Sequence, residues 1–451
     1  MAKTIPDSAA SSTNIVNSSG VTIAPNSYSI SECTIHPNNN DPIDIRDLIV
    51  KINISESLYL SSLITVITIR DGVNMLGNLR INGNEKITLK IFQEPIDQDK
   101  KEIDLEMYIS DIFNFSKPTF SSQMYELRCV SEHAYLNQLK VLDKPFDNSI
   151  NKLIENIIES DLQIPTKRVN KDNANASTFG IVKGVYPQLK PINAINWLIR
   201  NAFDNSTPFF FYETVKKGIT LKSFNEMSKE AVLREYNHMK PNFEHTFDES
   251  KATYDEQLLT IRKISGDLEV SKFNDASNGA YGSEMTTVDI ATKSFNTKKH
   301  KYEGLPAASL NKYKPFAETS KFQDRKMNEY TTAKQYFVSE NSKAFDKPNY
   351  HHNTKDNLQK SSSLRSNLDF MTQNLTLNGD FELYSGAVVK LNILKPEHPD
   401  VIQDTKEVDE LMSGKYVVSS ISHVFDADEY YMLATVKKES SALDLDGAVK
   451  L

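Results

Sequence analysis

Two stretches roughly 300 residues apart carry one pattern, a turn glycine followed by alternating apolar residues. In LRINGNEKITLKIFQEP, Leu79 to Pro95, Gly83 precedes Ile87, Leu89 and Ile91. In LTLNGDFELYSGAVVKLNIL, Leu375 to Leu394, a turn at Ser385-Gly386 precedes Val389, Leu391 and Ile393. Alternation with period two predicts a strand with one buried face, and glycine before it opens backbone conformations closed to other residues. Few local devices constrain a chain more than the same strand start used twice.

The surroundings repeat as well. Leu48, Val50, Ile52 and Ile54 alternate, and Leu63 to Ile69 continues the β-branched bias, so two paired strands are expected before the short helical turn VNMLGNL. After the Gly83 strand come the polar break QEPIDQDKKE and a hairpin, EMYISDIFNF to MYELRCVSE. The second half runs through QLLTIRKISG and GSEMTTVDIATKSF. It continues with a helix in LQKSSSLRSNLDFMTQ, on which Leu364, Leu368 and Met371 line up, and then the Gly386 strand. The loop PEHPDVIQDTKEVDE and a last hairpin, KYVVSSISHVF to YYMLATVKKES, complete it. Any two antiparallel modules share hairpins and turn glycines. The same order of five features in both halves reads as one β module used twice.

Between the halves the period changes. In PFDNSINKLIENIIESDL, Ile150, Leu153, Ile154, Ile157 and Ile158 recur at helical spacing behind Pro145, with Asp147 or Asn148 as the expected cap. PINAINWLIRNAF gives a second helix with Ile192, Ile195, Leu198 and Ile199 on one face, ending at Asn205 to Pro208. FFFYETVKKGITLKSF follows as a hairpin around Lys217-Gly218. Residues 1–40, rich in Ser, Asn, Pro and Thr, read as a mobile arm. The polar stretch from Asn296 to about Asp356 reads as loops or contact surface.

Length and composition bound the rest. A chain of 451 residues suggests about three domains, and 39% apolar residues are enough to build cores. No apolar run reaches membrane-helix length and the N-terminus lacks the apolar core of a signal peptide, so a soluble protein made in the cytoplasm is expected. Cys33 and Cys129 read as structural thiols. The net charge of −8 argues against a nucleic-acid reader, while leaving room for a wall past which nucleic acid slides. Carboxylates such as Glu85 and Asp380 allow that wall to be acidic or neutral.

Catalytic signatures are thin: GxSxG, HExxH, Walker-type and GxGxxG motifs are all absent. His351-His352 is a candidate metal pair, but adjacent histidines without a third ligand at suitable spacing read as solvated loop. His423 reads as a hydrogen-bonded or surface histidine and Trp197 as a core residue. Asp41 to Glu56 lacks the regular spacing of a Ca²⁺ loop. Facing carboxylates could serve a glycosidase, but sequence alone does not pair them. No catalytic, cofactor-binding or metal residue is assigned; Gly83 and Gly386 are the expected structural turn residues.

Three segments resemble the baseplate hub proteins of contractile-tailed bacteriophages, of T-even type. NGAYGSEMTTVDIATKSF, LTLNGDFELYSGAVVKLNIL and GKYVVSSISHVFDADEYYMLATV resemble their C-terminal barrel. ESLYLSSLITVITIRDGVNMLGNLRINGNEKITLKI resembles the N-terminal barrel, and INAINWLIRNAFDNSTPFFFYETVKKGITLKSF the domain between. The resemblance implies a mainly β fold with an α+β insert, in which two tube-type antiparallel β-barrels are split by a helix-and-hairpin domain. It divides the chain into a mobile arm (1–40), a first barrel (41–143), the helix-and-hairpin domain (144–250), a second barrel (251–300 and 357–445) and a loop-rich insertion (301–356).

It further implies a non-enzymatic virion protein assembled in the host cytoplasm: a homotrimer whose six barrels ring a DNA passage and join the tail tube protein to the central spike protein, among other baseplate proteins. A type VI secretion spike component is the neighbouring alternative. A cell-envelope carbohydrate-binding or hydrolytic β protein is the rival class.

Overall fold

The computed structural model describes residues 15–16, 22–23, 26–38, 41–93, 101–175, 181–200, 202, 204, 207–238, 257–265, 272–290, 292–303, 309–312, 321–340, 354–395, 408–426 and 429–443. His351 and His352 lie outside them.

The first module opens earlier than its composition suggests. β1 (Tyr28–His36) falls inside the stretch expected to be a mobile arm, yet it pairs along its length with a later strand and buries Cys33 and Ile35. A bulge between Ile30 and Glu32 breaks the alternation that would have marked it as a strand. β2 (Ile49–Ser57) and β3 (Ile64–Asp71) form the expected hairpin. A second bulge, between Ile49 and Lys51, turns Val50 to solvent and packs Ile49 on the core in its place. β4 (Lys86–Gln93) follows Gly83, and β5 (Lys101–Thr119) and β6 (Ser122–Val130) make the long hairpin.

Two helices and a hairpin come next. α1 (Ile150–Asn156) runs into a π turn at Ile157–Asp161 and buries all five apolar residues of its predicted face. Its cap is Ser149; Asp147 and Asn148 belong instead to a short strand, Pro145–Ser149, paired with Ile181–Val185. α2 (Pro191–Ile199) stops at Arg200, short of the expected end, and its half-buried Trp197 meets Phe146 edge-on. β7 (Phe209–Thr214) and β8 (Gly218–Ser223) pair around Lys217-Gly218. β7 is buried on both faces: Phe209 and Phe211 join the helices, while Phe210 and Tyr212 join Leu58, Val388 and Val417 beneath the barrels.

The second module begins with β9 (Arg234–His238), inside the range expected for the helix-and-hairpin domain, and β10 (Thr260–Ser265). The chain then leaves the barrel. β11 (Gly282–Asp289), β12 (Ser294–Lys301) and β13 (Gln335–Glu340) build a separate three-stranded sheet, over which α3 (Thr354–Asn367) packs. GSEMTTVDIATKSF, expected in the second barrel, belongs to this sheet. Period two identifies a strand without naming its neighbour. The barrel resumes at β14 (Met371–Asn378), so Met371 starts a strand and does not end the helix. β15 (Val388–Asn392), β16 (Gly414–Phe425) and β17 (Tyr430–Lys438) complete it. β14 and β15, the two strands around Ser385-Gly386, do not pair with each other.

One 13-stranded sheet holds both modules, in the order β15-β9-β10-β14-β17-β16-β2-β3-β6-β5-β4-β1 and then Ile43–Asp44. A further β15–β16 pairing closes six strands into a barrel. Within it the order β10-β14-β17-β16-β15-β9 matches β2-β3-β6-β5-β4-β1 strand for strand. Only the second module departs from antiparallel pairing: β9 runs parallel to β10 and β15, whereas its counterpart β1 pairs antiparallel with β4. In the first module Ile43–Asp44 and a hydrogen bond from Ile45 N to Cys33 O stand where β1 and β2 would otherwise meet. The insertion sits between β10 and β14, where the first module has only the β2–β3 turn.

Candidate functional site: the face across the barrel junction

The modules are joined by main chain. β2 and β16 pair antiparallel from Ser57 opposite Ser420 to Ile52 opposite Phe425. Alternation sends Ile52, Ile54, Ile421 and Phe425 into the common core. The opposite face carries Asn53 and Ser55 from β2 and Ser420 and Ser422 from β16, all half-buried, with Ser57 and Val424 covered at its two ends. Ser55 Oγ and Ser422 Oγ lie 3.1 Å apart across the junction. Cross-strand neighbours extend the row through Thr435 on β17 and Val66 on β3. At the junction itself this face is uncharged, and the nearest charges on it, Lys51 and Arg128, are paired with Asp426 and Asp111. Glu85 and Asp380, expected to lend a wall negative charge, are instead buried at 2% and 1% exposure.

Beneath that surface lie two carboxylates that sequence could not pair. Glu56 on β2 accepts from Val215 N at 2.7 Å and from Ser385 N at 2.6 Å, tying the first barrel to the β7–β8 turn and to the loop before β15. Burial pushes its carboxyl up to about 7, against the pull of those donors. Glu213 on β7 accepts from Leu63 N at 2.8 Å and from Ser131 Oγ. Both carboxylates are buried and accept from the protein's own donors, an arrangement that fastens segments together. Among the described residues no three His, Cys, Asp or Glu side chains gather as a metal site.

The turn glycines precede corresponding strands, β4 and β15. Gly83 has φ +87° and Gly386 φ +92°. At the first turn Glu85 accepts from the backbone N–H groups of Asn82, Gly83 and Asn84. Burial disfavours its charge, but those donors outweigh burial and hold it below the ordinary carboxylate range. At the second turn Gly386 N donates to Val418 O at 2.8 Å and the glycine backs onto Tyr212.

His423 lies in the barrel core at 1% exposure, with Nδ1 2.8 Å from Tyr430 Oη. Burial pushes it down to about 4, which leaves it neutral. Cys33 and Cys129 are buried free thiols, Cys33 pushed up to about 12 by burial. Both should resist a thiol reagent near pH ~8 in the folded protein and react once it unfolds; native-state labelling of either would contradict their enclosure.

No protein-family model and no curated protein sequence matches the chain. Solved structures do. The 43 kDa tail protein of prophage MuSo2 from Shewanella oneidensis superposes with a TM-score of 0.51 at 10% identity, covering 92% of this chain and 99% of that one. A tail protein from Neisseria meningitidis MC58 gives 0.50 at 9% identity, covering 91% and 97%. The chain has the fold of phage tail proteins. At such identity the likeness is one of architecture, and it extends over most of the chain.

Proposed function

We propose that the chain is a structural protein of a phage tail baseplate hub. Three copies would form a ring of six barrels that joins the sixfold tail tube to the threefold central spike in the virion and lets DNA pass. The observation that carries this reading is the β2–β16 junction. β16 gives one edge to β17, and its other edge first to β15 and then, over Ser420–Phe425, to β2. Its counterpart β5 is used the same way by β6 and β4, but beyond Ser110 the second edge has no strand among the described residues. β10, the counterpart of β2, likewise lacks a strand beyond Ile261 on its β9 side among the described residues. One chain thus carries a completed junction and both halves of a second. Joining β5 of one copy to β10 of the next repeats the internal contact and covers both edges, and such a head-to-tail contact closes into a ring when three successive rotations complete a turn.

The expected native mass is three times 51.1 kDa. Amides of residues 111–117 and 262–265 should exchange slowly in the assembly and quickly on dissociation. A chain that stays monomeric, even when mixed with its spike protein, would remove the ring. With the junction face lining the passage, duplex DNA should not be retained by that face at ~150 mM salt, since its nearest cations, Lys51 and Arg128, are already paired with carboxylates.

A further inference from the structure

The β12-β11-β13 sheet takes no part in either barrel. One face is covered by α3: Gln359 Nε2 donates to Ser283 O at 3.1 Å, Tyr336 Oη lies 2.9 Å from Ser362 Oγ, and Met285 is buried. On the other face, register sets Phe295 beside Val288, and Lys299 beside Glu284 and Gln335. Thr286 stands between Thr297 and Phe337. Phe295 and Phe337 are 78% and 75% exposed.

β12 is an edge. Eight of its residues pair without a bulge to β11, and among the described residues its other side meets no strand. Along Ser294–Lys301 it carries Lys298, Lys299 and Lys301 and no acid. The small hairpin of Lys321–Phe322 and Arg325–Lys326 adds cations near the Lys301 end, held there by Tyr330 Oη on Phe322 O and Asn328 Nδ2 on Tyr302 O, both 2.8 Å.

Lysines on an edge discourage indiscriminate pairing, but they do not account for large exposed aromatic rings on the adjoining face. Two β12 strands meeting there would gather six lysines on one edge with no acid to answer them, so a second copy is a poor occupant. Phosphates would meet Glu284 in the middle of the face, and they bring no donors for the carbonyls of an open strand edge. A peptide strand answers both main-chain partners at once. We propose that β12 accepts an extended acidic segment of a partner protein as an added strand, with an apolar residue against Phe295 and carboxylates opposite Lys299 and Lys301. This surface is independent of the ring, because none of its residues belongs to the β2–β16 junction or to its proposed repeat.

The test uses the full chain and a labelled synthetic peptide presenting Val, Thr, Glu and Glu at alternate positions, made in both chain directions, beside a version with Lys for Glu. The acidic peptide should bind roughly tenfold more tightly than its basic counterpart, and the Lys299→Glu/Lys301→Glu double variant should reverse that preference. Amides of 294–301 should gain protection from exchange on binding. Reversal in the double variant also demonstrates that it folds. Equal binding of both peptides, binding without protection of those amides, or salt-sensitive retention of a DNA fragment that the double variant loses would each overturn the proposal.

Discussion

Gly386→Val should destabilise the folded chain by roughly 2–5 kcal/mol, clearly more than Gly83→Val. Both positions have positive φ, where an L side chain costs about 1–2 kcal/mol. They differ in surroundings. A Cβ on Gly83 would meet nothing nearer than Ser110 O at 3.7 Å, an ordinary contact, so only conformational strain is added there. A Cβ on Gly386 would fall 2.3 Å from Tyr212 Oη and 3.1 Å from Cζ. Tyr212 cannot withdraw, since β7 is buried on both faces and its ring packs with Phe210, Val388 and Val417. Overpacking of this kind adds about 1–3 kcal/mol. Denaturant melts of both variants beside wild type measure the difference. Equal midpoints for the two variants would show that Tyr212 yields freely, and unchanged melting in both would remove the turn geometry.

That asymmetry shows how far local sequence reaches. Gly83 and Gly386 look alike in sequence because the need for positive φ is local, and so is the period-two pattern after each. The apolar faces of α1 and α2 and the β7–β8 hairpin were legible for the same reason. What Gly386 touches depends on a residue roughly 170 positions away, and no local pattern reports it. The junction itself is more remote still. Ser55 and Ser422 are unremarkable serines until β2 and β16 pair. β1 was hidden by a bulge, and β11 was recognisable as a strand but not as a member of a separate sheet. Glu56 and Glu213 read as ordinary strand carboxylates in a chain with 60 acidic residues. The nearest sequence hint is that each breaks a run of apolar or small neighbours at a strand end.

Glu56→Gln should change stability by an amount that depends strongly on pH. Burial holds the folded Glu56 carboxyl at about 7, against an ordinary value of 4.5. Between those values the native state keeps a proton that the unfolded chain releases. The stabilisation linked to that proton is complete below about 4.5, is lost as pH rises towards about 7, and does not change further above it. Its full size is on the order of 3 kcal/mol. His423 works in the opposite sense, since its folded value of about 4 makes stability rise as pH climbs towards the ordinary 6.5. The wild-type curve therefore mixes the two, and the difference between wild type and Glu56→Gln isolates the carboxyl. The substituted amide retains one acceptor oxygen and turns its NH₂ towards the other donor, so either Val215 N or Ser385 N is left unsatisfied. The protonated carboxyl of the wild type does the same below about 7, so the amide mimics that form and does not titrate. The substitution should thus be close to neutral near pH ~5 and stabilising by up to about 3 kcal/mol relative to wild type near pH ~8. A difference that stays constant across this range would mean that the carboxyl is not enclosed, and with it would go the tie between the first barrel, the β7–β8 turn and the loop that carries Gly386.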